Sequence, residues 1–136
     1  MILTSENISQ IGTLTDKVKS VLNEIIKSSD LIKFVALTTM DGFTISSVSK
    51  DGIDVDPKWL GALIVASIRN LENNLRKALS DTTLTELVIS LDQDILVIRT
   101  MGKLSLIMIA DKTLDIDFVM YEIEEGLREL SALLLM

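Results

Sequence analysis

The sequence of 136 residues contains no cysteine and no histidine. The missing cysteines exclude disulfides, thiolate zinc sites and cysteine nucleophiles, and the missing histidines exclude every histidine-based general acid or base. Chemistry would have to use carboxylates, Lys, Ser, Thr or Tyr121. The composition therefore favours a binding protein over an enzyme, and we predict no catalytic residue, no metal and no cofactor.

Aromatic residues and positive charge are also scarce. Aromatic residues make up 4% of the chain, and the formal net charge is -7. Few side chains are available to stack on bases, and an acidic surface repels a phosphate backbone. We expect no nucleic-acid partner.

Long apolar segments are absent as well. The longest uncharged run, residues 59–68, has ten residues, which is too short to span a bilayer. The first residues, MILTSENISQ, have neither a basic region nor an extended apolar core, so they make a poor signal peptide. Because 48% of the residues are hydrophobic, disorder is not expected. We predict one cytoplasmic domain over residues 1–136, with residues 1–12 as a flexible or short helical segment and no membrane insertion.

Apolar periodicity predicts three helices. The first covers residues 14–29, on the spacing of Leu14, Val18, Val21, Leu22, Ile25 and Ile26. The second covers residues 57–79, because Asp56 is an N-cap and Pro57 occupies the first helical position. The third begins at about Asp115, with the stripe Ile116, Val119, Met120, Ile123, Leu127, Leu130 and Leu134. Gly126 lies inside this helix, where glycine is unfavourable, so we expect close packing against a neighbour there.

Runs rich in Val, Ile and Thr predict five strands. They cover residues 33–39, 44–49, 86–91, 95–101 and 104–110. The last three are joined by short connections, so we expect antiparallel neighbours. The run LSLIMIA is apolar at successive positions, which is typical of a central strand covered on both faces.

The dipeptide Asp41-Gly42 separates the first two strands. Glycine accepts a positive φ and aspartate tolerates it, so the pair predicts a hairpin turn. A calcium loop would need more oxygen ligands after Asp41, and a phosphate loop would need further glycines and a lysine. The turn is the favoured interpretation.

The second helix is apolar on more than one side. We expect one face to pack on the sheet, formed by Leu60, Ile64, Ser67, Ile68, Leu71, Leu75 and Ala78. The opposite face carries Ala62, Ala66, Arg69 and Asn73, flanked by Trp59, Leu63 and Asn70. A helix that is apolar all round is buried on all sides, so this face is expected to pack on another chain; the alternative is cover by the chain's own termini.

Two acidic groups are candidates for Mg²⁺ binding: the pair Asp92 and Asp94, and the trio Asp111, Asp115 and Asp117. The pair lies in a tight turn, where aspartate bonds to the backbone, and the trio surrounds a helix start, where carboxylates meet the positive end of the dipole. Structural use is favoured over metal binding for both.

The order α-β-β-α-β-β-β-α, with VALTTMDGFTISS in the first hairpin, resembles the roadblock family, the dynein light chain and small-GTPase regulator domain of the wider profilin-like group. The family has an Asp-Gly turn followed by a hydrophobic residue, here Asp41-Gly42-Phe43, and a second strand that ends in Ser or Ala, here Ile45-Ser46-Ser47. The small-residue second helix and the last hairpin also match. The resemblance covers nearly the whole chain, from about Leu14 to Leu134.

The resemblance implies an α+β fold, a five-stranded antiparallel sheet with helix two on one face and helices one and three on the other. It further implies a homodimer, or a heterodimer with a related chain, in which helix two packs on its copy and the third strands pair. The residues placed in this dimer and partner interface are Trp59, Ala62, Leu63, Ala66, Arg69, Asn70, Asn73, Glu86, Val88 and Ser90. Ala62 and Ala66 would let two helices approach closely, and pairing would cover an apolar edge strand.

The function that the resemblance implies is a non-enzymatic homodimeric module that regulates or scaffolds a Ras-like small GTPase. Within it, Arg69 could offset transition-state charge on a phosphoryl group, or be a solvated or interface arginine. The alternatives are an assembly subunit and a small-ligand sensor, which requires a polar group or two facing a cavity. A carboxylate-based hydrolase is the weakest hypothesis.

Overall fold

The computed structural model describes the backbone of residues 5–134 and the side chains of residues 13–134. Its elements follow the predicted order: α1 (Ser5–Lys27), β1 (Ile32–Thr39), β2 (Thr44–Ser49), α2 (Pro57–Leu79), β3 (Glu86–Ser90), β4 (Asp94–Met101), β5 (Leu104–Asp111) and α3 (Ile116–Leu133). No helix within the described residues has the length and apolar character needed to cross a membrane.

The strands form one antiparallel five-stranded sheet in the order β2-β1-β5-β4-β3. The predicted central strand is confirmed, because β5 lies in the middle and Met108 is opposite Val35 on one side and Val97 on the other. Residues 104–108 are all buried, as expected for a strand covered on both faces.

Helices α1 and α3 cover one face of the sheet. Val18 and Leu22 of α1 and Ile123 and Leu127 of α3 belong to a buried cluster with Leu106 and other residues of β1, β4 and β5. Gly126 belongs to this packing: a Cβ there would lie 2.5 Å from Ile25 Cδ1 of α1. The close packing predicted at this glycine is confirmed.

Helix α2 covers the other face over a smaller buried cluster. Ile64 and Ile68 pack with Phe34 and Ala36 of β1, Ile98 of β4 and Ile107 of β5. The faces predicted for the three helices by the resemblance are confirmed.

The first hairpin turns at Asp41-Gly42, as predicted. The Thr39 N–H donates to the Phe43 carbonyl at 2.8 Å, the Gly42 N–H donates to the Thr39 carbonyl at 2.9 Å, and Gly42 has φ 95°. This φ lies in the region that glycine enters without steric cost, so the turn requires it.

The first helix differs from its prediction. It runs over Ser5–Lys27 rather than residues 14–29. The apolar stripe used for the prediction starts at Leu14, one turn before Val18, which is buried in the core, whereas helical hydrogen bonding extends further towards the N-terminus, to Ser5. Residues 5–12 are thus part of α1, and residues 1–4 lie outside the described residues.

The face of α2 that packs on the sheet also differs from the predicted one, because the helix is turned about its axis. Gly61, Ile64, Val65 and Ile68 are buried, whereas Ser67, Leu71 and Ala78 are exposed and Leu60 and Leu75 are half-buried. The reason is a close approach at Gly61, where a Cβ would lie 2.6 Å from Thr44 Oγ1 and 3.1 Å from Thr38 Oγ1. Because Gly61 has no side chain, the helix packs on the sheet with Gly61 facing Thr38 and Thr44.

Candidate functional site: the outer face of helix α2 and the edge strand β3

The start of α2 is held in place by its cap. Asp56 Oδ1 accepts hydrogen bonds from the backbone N–H of Lys58 at 3.1 Å and of Trp59 at 3.3 Å. These bonds satisfy two N–H groups that have no helical partner, and Pro57 supplies a preset φ. The first turn therefore has a defined geometry, and Trp59 projects from it with 64% of its surface exposed.

The residues predicted on the outward face of α2 share one surface. All of them are exposed: Trp59, Ala62, Leu63, Ala66, Arg69, Asn70 and Asn73. Leu63 is 46% exposed although it lies well inside the helix, in its second turn. Nothing in residues 13–134 covers this face, so its apolar side chains meet solvent in the isolated chain.

Phe43 extends this surface and was missed by the sequence-based interpretation. It is 72% exposed at the tip of the first hairpin. The tip abuts α2, because a Cβ on Gly42 would lie 3.7 Å from the Ala62 Cα. Phe43 therefore follows directly on the residue that meets α2 at Ala62, near the exposed first turns of that helix. The hydrophobic residue that follows Asp-Gly was a signal for this extension of the surface, but the sequence does not place the turn beside α2.

The second part of the site is the edge strand β3, which pairs with β4 on one side only. Val88 is 44% exposed, Ile89 is 37% exposed and Leu91, just after the strand, is 50% exposed. Val88 is opposite Val97 and Ile89 is opposite Leu96, so apolar side chains point to both faces of the sheet. An apolar edge with free backbone groups is a template for pairing with another strand.

The other two predicted residues of β3 are polar. Glu86 and Ser90 are exposed. Glu86 Oε2 lies 3.6 Å from Arg99 Nη1 of β4, and Arg99 Nη2 lies 3.9 Å from Glu124 Oε1 of α3. The edge strand is thus linked to α3 by charge at one end while its apolar middle stays uncovered.

Arg69 contacts the first hairpin. Its Nη2 lies 3.6 Å from Asp41 Oδ1, and the side chains are 58% and 79% exposed, respectively. An exposed pair of this length contributes little to stability and can be exchanged for another partner. Asp41 therefore turns the chain, as predicted, and also meets α2.

Charge differs between the helices. Helix α2 carries four basic residues, Lys58, Arg69, Arg76 and Lys77, and one acidic residue, Glu72. Helix α3 carries five acidic residues and one basic residue. Helix α2 is therefore the more basic of the two helices, but its outer face is mainly apolar, with Arg69 as the one charged residue among the seven named above.

Three of the five acidic residues considered for Mg²⁺ have structural uses. Asp94 Oδ1 accepts a hydrogen bond from Lys33 Nζ at 2.6 Å. This hydrogen bond, with the negative charges of Asp94 and Asp111, raises the pKa of Lys33 although burial acts in the opposite direction. Asp111 accepts hydrogen bonds from the backbone and hydroxyl of Thr113, which lower the pKa of its carboxyl. Asp115 caps α3. The described residues contain no group of three or more potential ligands arranged for a metal ion.

This sheet order, with α2 on one face, α1 and α3 on the other and an open β3 edge, defines a roadblock-type fold. Solved structures support that assignment. The gliding protein MglB from Thermus thermophilus is 17% identical over 88% of this chain and 90% of its own, with a TM-score of 0.76. Myxococcus xanthus MglB is 21% identical over 87% of this chain and 94% of its own, with a TM-score of 0.76.

A Roadblock/LC7 domain from Streptomyces avermitilis is 18% identical over 85% of this chain and 96% of its own, with a TM-score of 0.72. No protein-family model and no curated protein sequence matches the chain. At these identities the comparisons show that the chain has the roadblock fold, and what it binds has to be argued from its surface.

Proposed function

We propose that the protein is a non-enzymatic homodimeric module that regulates or scaffolds a Ras-like small GTPase in the cytoplasm. The observation that carries the proposal is the uncovered outer face of α2, where Trp59 is 64% exposed and Leu63 is 46% exposed. A buried helix face of this composition would be ordinary, whereas an exposed one marks a contact surface. The roadblock-type fold supports the same function.

Dimerisation is proposed through two elements that are adjacent along the chain. Pairing of β3 with its copy would satisfy the free edge and cover Val88 and Ile89. The same symmetry would bring the outer faces of two α2 helices together, where Ala62 and Ala66 permit close approach. A C₂ contact of this kind uses the same patch on both subunits, which agrees with a single surface rich in small and apolar residues.

Regulation would follow from binding to one state of the partner. A ligand shifts a conformational equilibrium only by its differential affinity for the two states, so the module would act by preferring one nucleotide state of the GTPase. Arg69 lies on the proposed surface. Its loose pair with Asp41 would let it contact the partner, as an interface residue or as a charge offered to the phosphoryl group.

The experiment that tests this function is capture of a GTPase on the purified protein from its own cell extract, with a GTP analogue and with GDP. We expect a Ras-like GTPase, identified by mass spectrometry, to be retained in one nucleotide state, and Trp59→Ala to reduce the retained amount by about tenfold because interface tryptophans are frequent hot spots. Retention in both states would indicate scaffolding. If no GTPase is retained in either state, the proposal is wrong.

The dimer interface has its own test. Ala66→Arg places two like charges at a close helix crossing, so we expect the variant to sediment as a monomer at micromolar concentration. Ala132→Arg, at an alanine of α3 that is also exposed, is the matched control and should sediment like the wild type. An Ala66→Arg protein that remains a dimer would show that the proposed interface is elsewhere.

A further inference from the structure

A cavity of about 510 Å³ lies at one end of the sheet, where the first and last hairpin turns meet. Residues 39–41 form one wall and residues 102–104 form another. Ile45, Arg69 and Leu134 complete the lining from β2, α2 and the end of α3. Its volume falls within the range of roughly 300–1,000 Å³ typical of small-molecule sites.

The walls are held together by the backbone. The Met40 N–H of the first hairpin donates to the Lys103 carbonyl of the last hairpin at 3.0 Å. Within the first hairpin, the Thr39 N–H donates to the Phe43 carbonyl at 2.8 Å. The cavity is therefore built into the fold, and a ligand would not have to order its two walls before binding.

The charges of the lining favour an anion. Arg69 and Lys103 contribute two positive charges and Asp41 one negative charge. Within the described part of the chain, Arg69 is held only by the long, exposed contact with Asp41 at 3.6 Å, and Lys103 has no carboxylate at ion-pair distance. The lining therefore carries a net charge of +1 on a protein whose formal net charge is -7, and a locally positive cavity attracts small anions.

Apart from Thr39 and Gly102, the rest of the lining is apolar. Met40, Ile45, Leu104 and Leu134 contribute it. Ile45 is 43% exposed although it lies within strand β2, and Leu104 is buried beneath the cavity. An apolar body lying on Ile45 would remove this surface from water, and burial of apolar area is favourable.

We propose that this cavity binds a small organic anion with an apolar body, a carboxylate or a phosphate monoester. The acidic group would lie between Arg69 and Lys103, and the apolar body would cover Ile45 and reach towards Leu134. This site meets the requirement of the small-ligand hypothesis, polar groups that face a cavity. It goes beyond the GTPase proposal, because it needs neither a second chain nor a GTPase.

The test is an NMR titration of the ¹⁵N-labelled protein with octanoate, octyl phosphate and the neutral analogue octanol. We expect both anions to shift the amide resonances of residues 39–41 and 102–104 saturably, and octanol to shift them at least about fivefold more weakly, because charge-assisted contacts are stronger than neutral ones. The tighter of the two anions identifies the head group.

Substitutions in the cavity lining test whether the ligand binds there. Lys103→Gln and Arg69→Gln should each weaken octanoate binding by about fivefold or more, and Ile45→Ser should weaken it by about threefold through lost apolar contact. Lys112→Gln, an exposed lysine in the turn between β5 and α3, is the matched control and should leave the affinity unchanged. Equal binding of octanol, the absence of shifts in both turns, or equal weakening by Lys112→Gln would each overturn the proposal. Because the titration uses the protein alone, its failure would leave the GTPase proposal unaffected.

Discussion

The two faces of the sheet are covered to different extents. On one face, Val119, Ile123, Leu127 and Leu130 of α3 are all 0% exposed, since α1 and α3 enclose them together. On the other face α2 lies alone, and Leu71 remains 39% exposed. Burial of apolar surface is the main favourable term in folding, so the first face stabilises the isolated chain while the second retains apolar surface available for binding.

The largest effect is predicted for the stability of two leucine variants, one in α3 and one in α2. Leu127→Ala should lower the free energy of unfolding by about 2–5 kcal/mol, because it leaves a cavity in a fully buried site. Leu79→Ala, at a side chain that is 62% exposed on α2, should change it by less than about 0.5 kcal/mol. Urea unfolding of both variants measures the difference.

Protein concentration should be varied in that experiment. If Leu79→Ala costs as much as Leu127→Ala at every concentration, the end of α2 is buried in the folded protein and the comparison fails. A cost that appears only at high concentration would place Leu79 in the contact between chains.

A medium effect is predicted at the two helical glycines, one on each face. Replacing glycine by alanine favours a helix by about 1 kcal/mol. At Gly61 the added Cβ would lie 2.6 Å from Thr44 Oγ1, which is held by its hydrogen bond to the Pro57 carbonyl at 2.9 Å. Gly61→Ala should therefore lower the free energy of unfolding by about 1–2 kcal/mol despite the gain in propensity.

Gly126→Ala is the matched variant on the other face. Its Cβ would lie 2.5 Å from Ile25 Cδ1, the end of a side chain that can change rotamer. The cost of moving Ile25 and the gain in helix propensity should nearly cancel, to within about 0.5 kcal/mol. Thermal unfolding measures the stability of both variants. An equal loss of stability at both glycines would show that α2 does not pack more closely on its neighbours than α3 does.

The smallest effect concerns charge on α3. Burial, with the neighbouring charges of Glu125 and Glu129, raises the pKa of Glu122 above its ordinary value. The folded state therefore holds this proton more tightly than the unfolded state, and stability falls as the pH rises through the range between the two pKa values. Glu122→Gln should be more stable than the wild type above that range, by at most about 0.5 kcal/mol because the group is largely solvated.

The measurement is urea unfolding of both proteins at several pH values on either side of the ordinary glutamate pKa. The difference between Glu122→Gln and the wild type should be small at low pH and grow as the pH rises. A constant difference would mean that Glu122 acts through packing rather than through its charge.

Much of the fold could be predicted from the sequence because its signals are local. Asp56 and Pro57 placed the start of α2 correctly, and Asp41-Gly42 identified the first turn. The predicted start of α1 was wrong, because the apolar stripe marks contact with the core rather than the extent of helical hydrogen bonding. The face of α2 that packs on the sheet differs from the predicted one, because periodicity locates an apolar face only approximately. The close approach of Gly61 to Thr44 fixes the orientation of the helix about its axis.

The candidate site likewise has parts that the sequence predicted and parts that it did not. The exposed residues of α2 followed from helical spacing, and the open β3 edge from the resemblance. Phe43 was not included, because its position beside Ala62 depends on how the first hairpin packs against α2. The cavity could not be predicted either, since Arg69 lies 28 positions after Asp41 in the numbering and no periodicity joins them.

The sequence by itself determined the order of the elements, the turns and caps that separate them, and the exclusion of cysteine and histidine chemistry, because these depend on residue types and on hydrogen bonds within a few positions. Only the tertiary structure decided which apolar surfaces stay uncovered and which turns meet. Those outcomes depend on packing between distant segments, such as the hydrogen bond from Met40 to Lys103 that joins two hairpins. Local preferences act on neighbours in the chain, whereas a surface or a cavity is a property of everything that packs around it.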